Sequence, residues 1–153
     1  MLETTITRAN TEDSEGIALI EASCFSVPWS QNGIIDFIKS DTSIVLVAKN
    51  NGTICGYIGM YHSFGEGDIT NVAVLPEYRN KGIAGSLISE LIDICKANDI
   101  SKVRLEVRQT NTPAISLYEK FGFYKVGIRK NYYSHPKEDA VLMDLDITTA
   151  TET

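Results

Sequence analysis

The apolar positions change period several times along the first half of the chain. Thr4 to Arg8 reads as a short strand. Thr11 followed by Glu12 and Asp13 predicts a helix start, because acidic side chains favour the positive end of the helix dipole. Ile17, Ile20 and Cys24 then supply an apolar stripe at helical spacing. Pro28 interrupts the stripe, and Ser30 is placed to cap a second helix that buries Ile34, Phe37 and Ile38. Ser43 to Lys49 is β-branched and apolar, the mark of a buried strand. Asn50-Asn51-Gly52 is a turn signal, with Thr53 to Ser63 as the returning strand. Gly65-Glu66-Gly67-Asp68 reads as a second turn and Ile69 to Leu75 as a fourth strand.

From Asn80 the period becomes helical. Ile83, Ala84, Leu87, Ile88, Leu91, Ile92 and Cys95 share one face, Ser86, Ser89, Glu90 and Asp93 the other, and Asn98-Asp99 ends the element. Ser101 to Arg108 alternates as a strand, with Val103, Leu105 and Val107 on one side and Arg104, Glu106 and Arg108 on the other. Pro113 suits the first turn of a helix capped by Thr112, which carries Ile115, Leu117, Tyr118 and Phe121 and closes at Gly122. Tyr124 to Arg129 and Ala140 to Asp146 predict a final strand pair. The elements alternate in a mixed α/β manner.

The length of 153 residues, 43% of them hydrophobic, fits one domain over 1–147, with the polar tail 148–153 expected to fray. The net charge of -6 disfavours a broad nucleic-acid-binding face. No apolar run reaches the roughly 18 residues of a membrane span, and no secretory signal is read at the N-terminus, so a cytoplasmic protein without a membrane partner is expected. Cys24, Cys55 and Cys95 are too scattered for a Cys-x-x-Cys pair and read as reduced thiols. With only His62 and His135 available and no ligand spacing, no metal is expected.

The segment from Val72 to Gly85 carries the chemistry. A buried strand stops at Pro76, a short loop bears Arg79 and Lys81, and Gly82 and Gly85 open the long helix. Backbone N–H groups and a helix N-terminus then converge on one spot, where a phosphate or pyrophosphate binds. The spacing alone is equally consistent with an ordinary strand–loop–helix whose basic residues are solvated. Neither a Walker loop nor a dinucleotide Gly-x-Gly-x-x-Gly is present.

Arg79-x-x-Gly82-x-Ala84 resembles the coenzyme A pyrophosphate loop of the GNAT superfamily of N-acetyltransferases. Leu105 to Arg108, Asn111 and Ala114 to Phe123 are similar to the second half of that fold. Phe25 to Ser30, Leu105 to Arg108, and Arg129 to Tyr133 with Glu138-Asp139-Ala140 together resemble the bacterial ribosomal-protein-alanine N-acetyltransferases within it. The resemblance implies a mostly antiparallel central sheet of about seven strands flanked by about four helices. It implies acetyl-coenzyme A as cosubstrate and no metal. The acceptor it implies is a protein N-terminus, the alanine of a small-subunit ribosomal protein, and the enzyme a monomer or weak dimer.

Carried over residue by residue, the resemblance puts the pantetheine arm on the backbone of Val72, Ala73 and Val74. The pyrophosphate falls on Asn80, Lys81, Gly82, Ile83, Ala84 and Gly85, flanked by Arg79, and Asn111 contacts coenzyme A. Glu106 matches the general base and Tyr118 the general acid, beside the cosubstrate; the Val74 N–H matches the oxyanion donor. Trp29 with Phe25, and Tyr132 with Tyr133, are candidate walls of a peptide groove. A small-molecule amine acetyltransferase or a non-catalytic acyl-coenzyme A binder on the same fold would share the loop.

Overall fold

The computed structural model describes residues 4–149. One sheet of seven strands runs in the order β1-β2-β3-β4-β5-β7-β6. The strands are β1 (Thr4–Arg8), β2 (Ser43–Asn50), β3 (Thr53–Ser63), β4 (Glu66–Val74), β5 (Lys102–Arg108), β6 (Tyr124–Ser134) and β7 (Lys137–Asp146). Helices α1 (Ser14–Cys24) and α2 (Gln31–Lys39) follow β1, α3 (Ile83–Ala97) follows β4 and α4 (Thr112–Lys120) follows β5. This is the mixed, mostly antiparallel architecture expected: every strand pair is antiparallel except β4 with β5.

The sheet has a core on each face. Ile83, Leu87, Ile88, Leu91 and Cys95 of α3 and Ile115 and Tyr118 of α4 pack on Leu46, Ile58, Leu105, Val107 and Met143. Ile17 and Ile20 of α1 and Ile34 and Phe37 of α2 cover Val45, Val47, Tyr57 and Ala73 on the opposite face. Burial of these side chains from both sides stabilises the sheet, at about 25 cal/mol for each Å² of apolar surface removed from water. Since Leu105 and Val107 point to the α3/α4 side, strand alternation turns Glu106 towards α1 and α2.

The feature that positions the site lies between β4 and β5. Their parallel pairing covers only Glu66–Asp68 against Lys102–Arg104. Just beyond, β4 carries a bulge against β3, where Asn71 pairs with Gly59 and Ile69 with Met60, leaving Thr70 as the extra residue. A bulge bends its strand and raises its twist. From there β4 stays with β3 and β5 stays with β7, so a wedge opens between the strand ends.

Several boundaries differ from expectation. Asn10, not Thr11, caps the first helical turn: its side chain accepts from the Glu12 N–H at 2.9 Å and Asp13 returns the bond to the Asn10 N–H at 2.9 Å. A 3-10 turn over Thr11–Asp13 precedes α1. Asn111 likewise caps α4 in place of Thr112, accepting from the Ala114 N–H at 3.3 Å. Phe64 and Gly65, both at positive φ, suffice for the β3–β4 turn, so Glu66 to Asp68 belong to the strand. β6 and β7 extend well past the predicted Arg129 and Ala140. The outer half of β6 is an exposed edge strand with no apolar alternation to read. Thr149 is buried and the Ile147 N–H donates to the Ser101 carbonyl at 2.8 Å, so the tail is not frayed from Thr148; residues 150–153 lie outside the described residues.

Candidate active site

The wedge presents the backbone edge of β4. The Leu75 N–H donates to the Cys55 carbonyl of β3 at 2.8 Å. Strand alternation therefore turns the N–H and C=O of Val74 and Val72 the other way, into the wedge. The Val74 carbonyl accepts there from Arg79 Nε at 3.0 Å and contacts Cys24 Sγ at 3.5 Å. Ala73 turns its backbone to β3 and its side chain into the α1/α2 core.

After β4 a 3-10 turn (Pro76–Tyr78) leads to Asn80 and Gly82, both at positive φ, and then directly into α3. Gly82 is the N-cap of α3 and offers no side chain, so the first-turn N–H groups at Ile83, Ala84 and Gly85 face outward uncapped. A Cβ built on Gly82 meets nothing within 4 Å, so the space before the helix is open. The Ile83 side chain is buried in the core, and only its backbone reaches that space. A Cβ on Gly85 would sit 3.7 Å from the ring of Phe121, just past the end of α4, at ordinary van der Waals distance.

Arg79 and Lys81 are the cations expected beside the pyrophosphate. In the structure Arg79 folds back on β4, with Nη2 3.4 Å from Cys24 Sγ, and Lys81 Nζ lies over the Tyr78 ring at 5.7 Å and donates to the Glu77 carbonyl at 3.4 Å. The loop thus presents main chain to the space before α3, at the positive end of the helix dipole. Asn111 spends its side-chain oxygen on the α4 cap, which leaves its NH2 group as the donor.

Glu106 and Tyr118 lie on opposite faces of the sheet. Glu106 is half-buried on β5, on the α1/α2 side. Tyr118 is buried on α4, packed on Phe123 at a ring separation of 5.6 Å. Burial first, and the nearby Tyr133 second, push its phenol up to about 12. Tyr133 is also pushed up to about 12, chiefly by burial and then by Tyr132, against the Arg108 charge, with Glu106 adding to the rise.

The aromatic walls are braced. Trp29 packs edge-on against Phe37 at 5.1 Å, so its ring anchors the α1–α2 loop to α2, while Phe25 stays open at the surface. Tyr132 and Tyr133 meet at 5.0 Å, and the Arg108 guanidinium lies 4.3 Å from the Tyr133 centroid. Arg108 also donates to the His135 carbonyl at 3.1 Å, the Pro136 carbonyl at 2.9 Å and Glu138 at 3.2 Å. Glu138 accepts from the Thr110 hydroxyl and N–H, which with Arg108 hold its carboxyl below the usual range. Ser26 Oγ donates to the His135 carbonyl, so the α1–α2 loop and the β6–β7 hairpin touch. Sequence reasoning missed the bracing role of Arg108 and the buried Glu21, whose visible signal was a carboxylate on the apolar stripe of Ile17, Ile20 and Cys24.

Comparison with known proteins bears on this geometry. The model of the acetyltransferase (GNAT) family matches residues 15–123. A Bacillus subtilis protein provisionally named ribosomal protein bS18-alanine N-acetyltransferase is 38% identical over 86% of this chain and 88% of its own length. The Escherichia coli bS18-alanine N-acetyltransferase is 31% identical over 94% of this chain and 98% of its own. The crystal structure of the E. coli ribosomal-protein-S18-alanine N-acetyltransferase superposes with a TM-score of 0.89 at 31% identity, covering 97% of this chain and 96% of that one.

Proposed function

This chain belongs to the acetyltransferase (GNAT) family, and on that footing we propose that it transfers acetyl from acetyl-coenzyme A to the α-amine of a protein N-terminus, the N-terminal alanine of ribosomal protein bS18. The observation that carries the reading is the wedge: a β4 edge with no strand partner beyond Asp68, followed through a 3-10 turn by an uncapped helix N-terminus. An amide-bearing arm pairs with such an edge as an added strand, and a diphosphate fits the helix start. No group of three or more His, Cys, Asp or Glu side chains placed to hold a metal ion occurs among the described residues. The net charge of -6 suits a basic ribosomal tail, and a cytoplasmic setting goes with that partner. No helix among the described residues is long and apolar enough to cross a membrane.

Each residue has a defined task. A protein α-amine has a pKa of about 8, so roughly a tenth is neutral at pH 7, against under about a thousandth of lysine side chains. Glu106 takes the proton, directly or through one water, as the amine bonds to the thioester carbon. The Val74 N–H donates to the carbonyl oxygen as it gains charge. As the carbon–sulfur bond breaks, Tyr118 gives its proton to the departing thiolate. Val72 and Val74 hold the pantetheine arm, Asn80 to Gly85 the diphosphate and the Asn111 NH2 group the remainder. Phe25, Trp29, Tyr132 and Tyr133 flank the incoming peptide.

The test is a mass-spectrometric assay with acetyl-coenzyme A and peptides of differing first residue, including one that begins with the bS18 alanine. A single acetyl on the α-amine is the expected product. Failure on every peptide, or faster acetylation of free small amines, removes the reading. Gly82→Ala is expected to raise KM for acetyl-coenzyme A about tenfold with peptide KM unchanged. Its methyl enters the open space before α3, and φ of +79° adds about 1–2 kcal/mol of backbone strain.

A further inference from the structure

One buried charge takes no part in the chemistry above. Glu21, on the apolar stripe of α1, is 0% exposed, and no cation pairs with it among the described residues. Three donors converge on its carboxylate instead. Oε1 accepts the Trp29 backbone N–H at 2.9 Å; Oε2 accepts Asn71 Nδ2 at 2.7 Å and the Tyr57 hydroxyl. Burial and the Glu21 charge push the Tyr57 phenol far up, so it stays a donor. An apolar side chain would join α1 to the sheet without the desolvation penalty of a buried charge, so the carboxylate is an expensive way merely to pack.

The donors come from parts with separate tasks. Trp29 ends the α1–α2 loop, directly before the Ser30 cap of α2. Asn71 immediately precedes Val72 on β4, next to the bulge. We propose that Glu21 is a positioning residue for the acceptor: it clamps the α1–α2 loop to the strand that presents Val72 and Val74, and so sets where the first residues of the peptide lie relative to the thioester. The inference rests on the acceptor assigned above.

The two oxygens make it testable. Glu21→Gln keeps one acceptor oxygen, which settles where two donors converge. Its NH2 group then opposes the Trp29 N–H, and the loop is released. Trp29 is the only tryptophan, so its fluorescence reports on that loop alone. Expected for Glu21→Gln are a red-shifted emission without ligand, peptide KM raised about tenfold and acetyl-coenzyme A KM as in the wild type. Tyr57→Phe removes a donor from the other oxygen and is expected to lower Tm while leaving emission and peptide KM at wild-type values. Wild-type emission in folded Glu21→Gln, or an equal rise of peptide KM in both variants, overturns the proposal. Should Glu21→Gln not fold, Glu21→Asp, which withdraws the carboxylate by one methylene, is expected to shift both readouts the same way, and wild-type values there overturn it too. A wild-type protein that acetylates no peptide overturns the assigned acceptor instead, and the emission comparison still decides the clamp.

Discussion

Glu106→Gln is expected to lose about 10²–10³ of kcat at neutral pH while binding coenzyme A as tightly as the wild type. The amide fills the same half-buried place on β5 but takes no proton. The deficit should shrink as pH climbs past the acceptor pKa of about 8, where most of the amine is already neutral. Steady-state rates from pH 6 to 9, with calorimetry for coenzyme A, check both statements, the pH span being chosen to bracket roughly that pKa. Undiminished turnover would hand the base role to water or to another group.

Tyr118→Phe is expected to lower kcat by about 10², with peptide and acetyl-coenzyme A KM little changed. Phe keeps the packing on Phe123, so Tm should barely move. Burial holds the Tyr118 phenol up at about 12, so its proton is present throughout the working range and is lost only as pH approaches that value. The wild-type rate should therefore rise with pH to the amine pKa and then stay level. A descending limb near pH 8.5, about where a thiol titrates, would point to a different acid.

The strand and helix cores were legible because burial on both faces writes β2 as a continuous apolar run, one-sided burial writes β5 as alternation, and the helices read as apolar stripes. The ends were less so. Both helix starts misread were Asn-Thr pairs, Asn10-Thr11 and Asn111-Thr112, and in each the asparagine carbonyl makes the cap. Either residue type can cap, so composition left the choice to geometry. The β4 strand, the Gly82 helix start and the face of Glu106 could be read from the chain. The directions of Arg79 and Lys81 could not, because long cationic side chains follow partners that folding supplies, here the Val74 carbonyl and the Tyr78 ring. Glu21 stayed hidden for the same reason: its side-chain partners Tyr57 and Asn71 lie 36 and 50 residues away.

The three-pair ladder between β4 and β5 has a thermodynamic corollary. The two halves of the sheet are joined there by a short seam, and a pantetheine arm bound along the open part, as proposed, would continue it. Fold stability is then tied to metabolite supply: at a concentration 100 times its Kd, a ligand that binds only the folded chain adds about 2.7 kcal/mol. A well-fed cell would hold this protein closer to its most robust form, and starvation for acetyl donors would leave it easier to unfold and degrade.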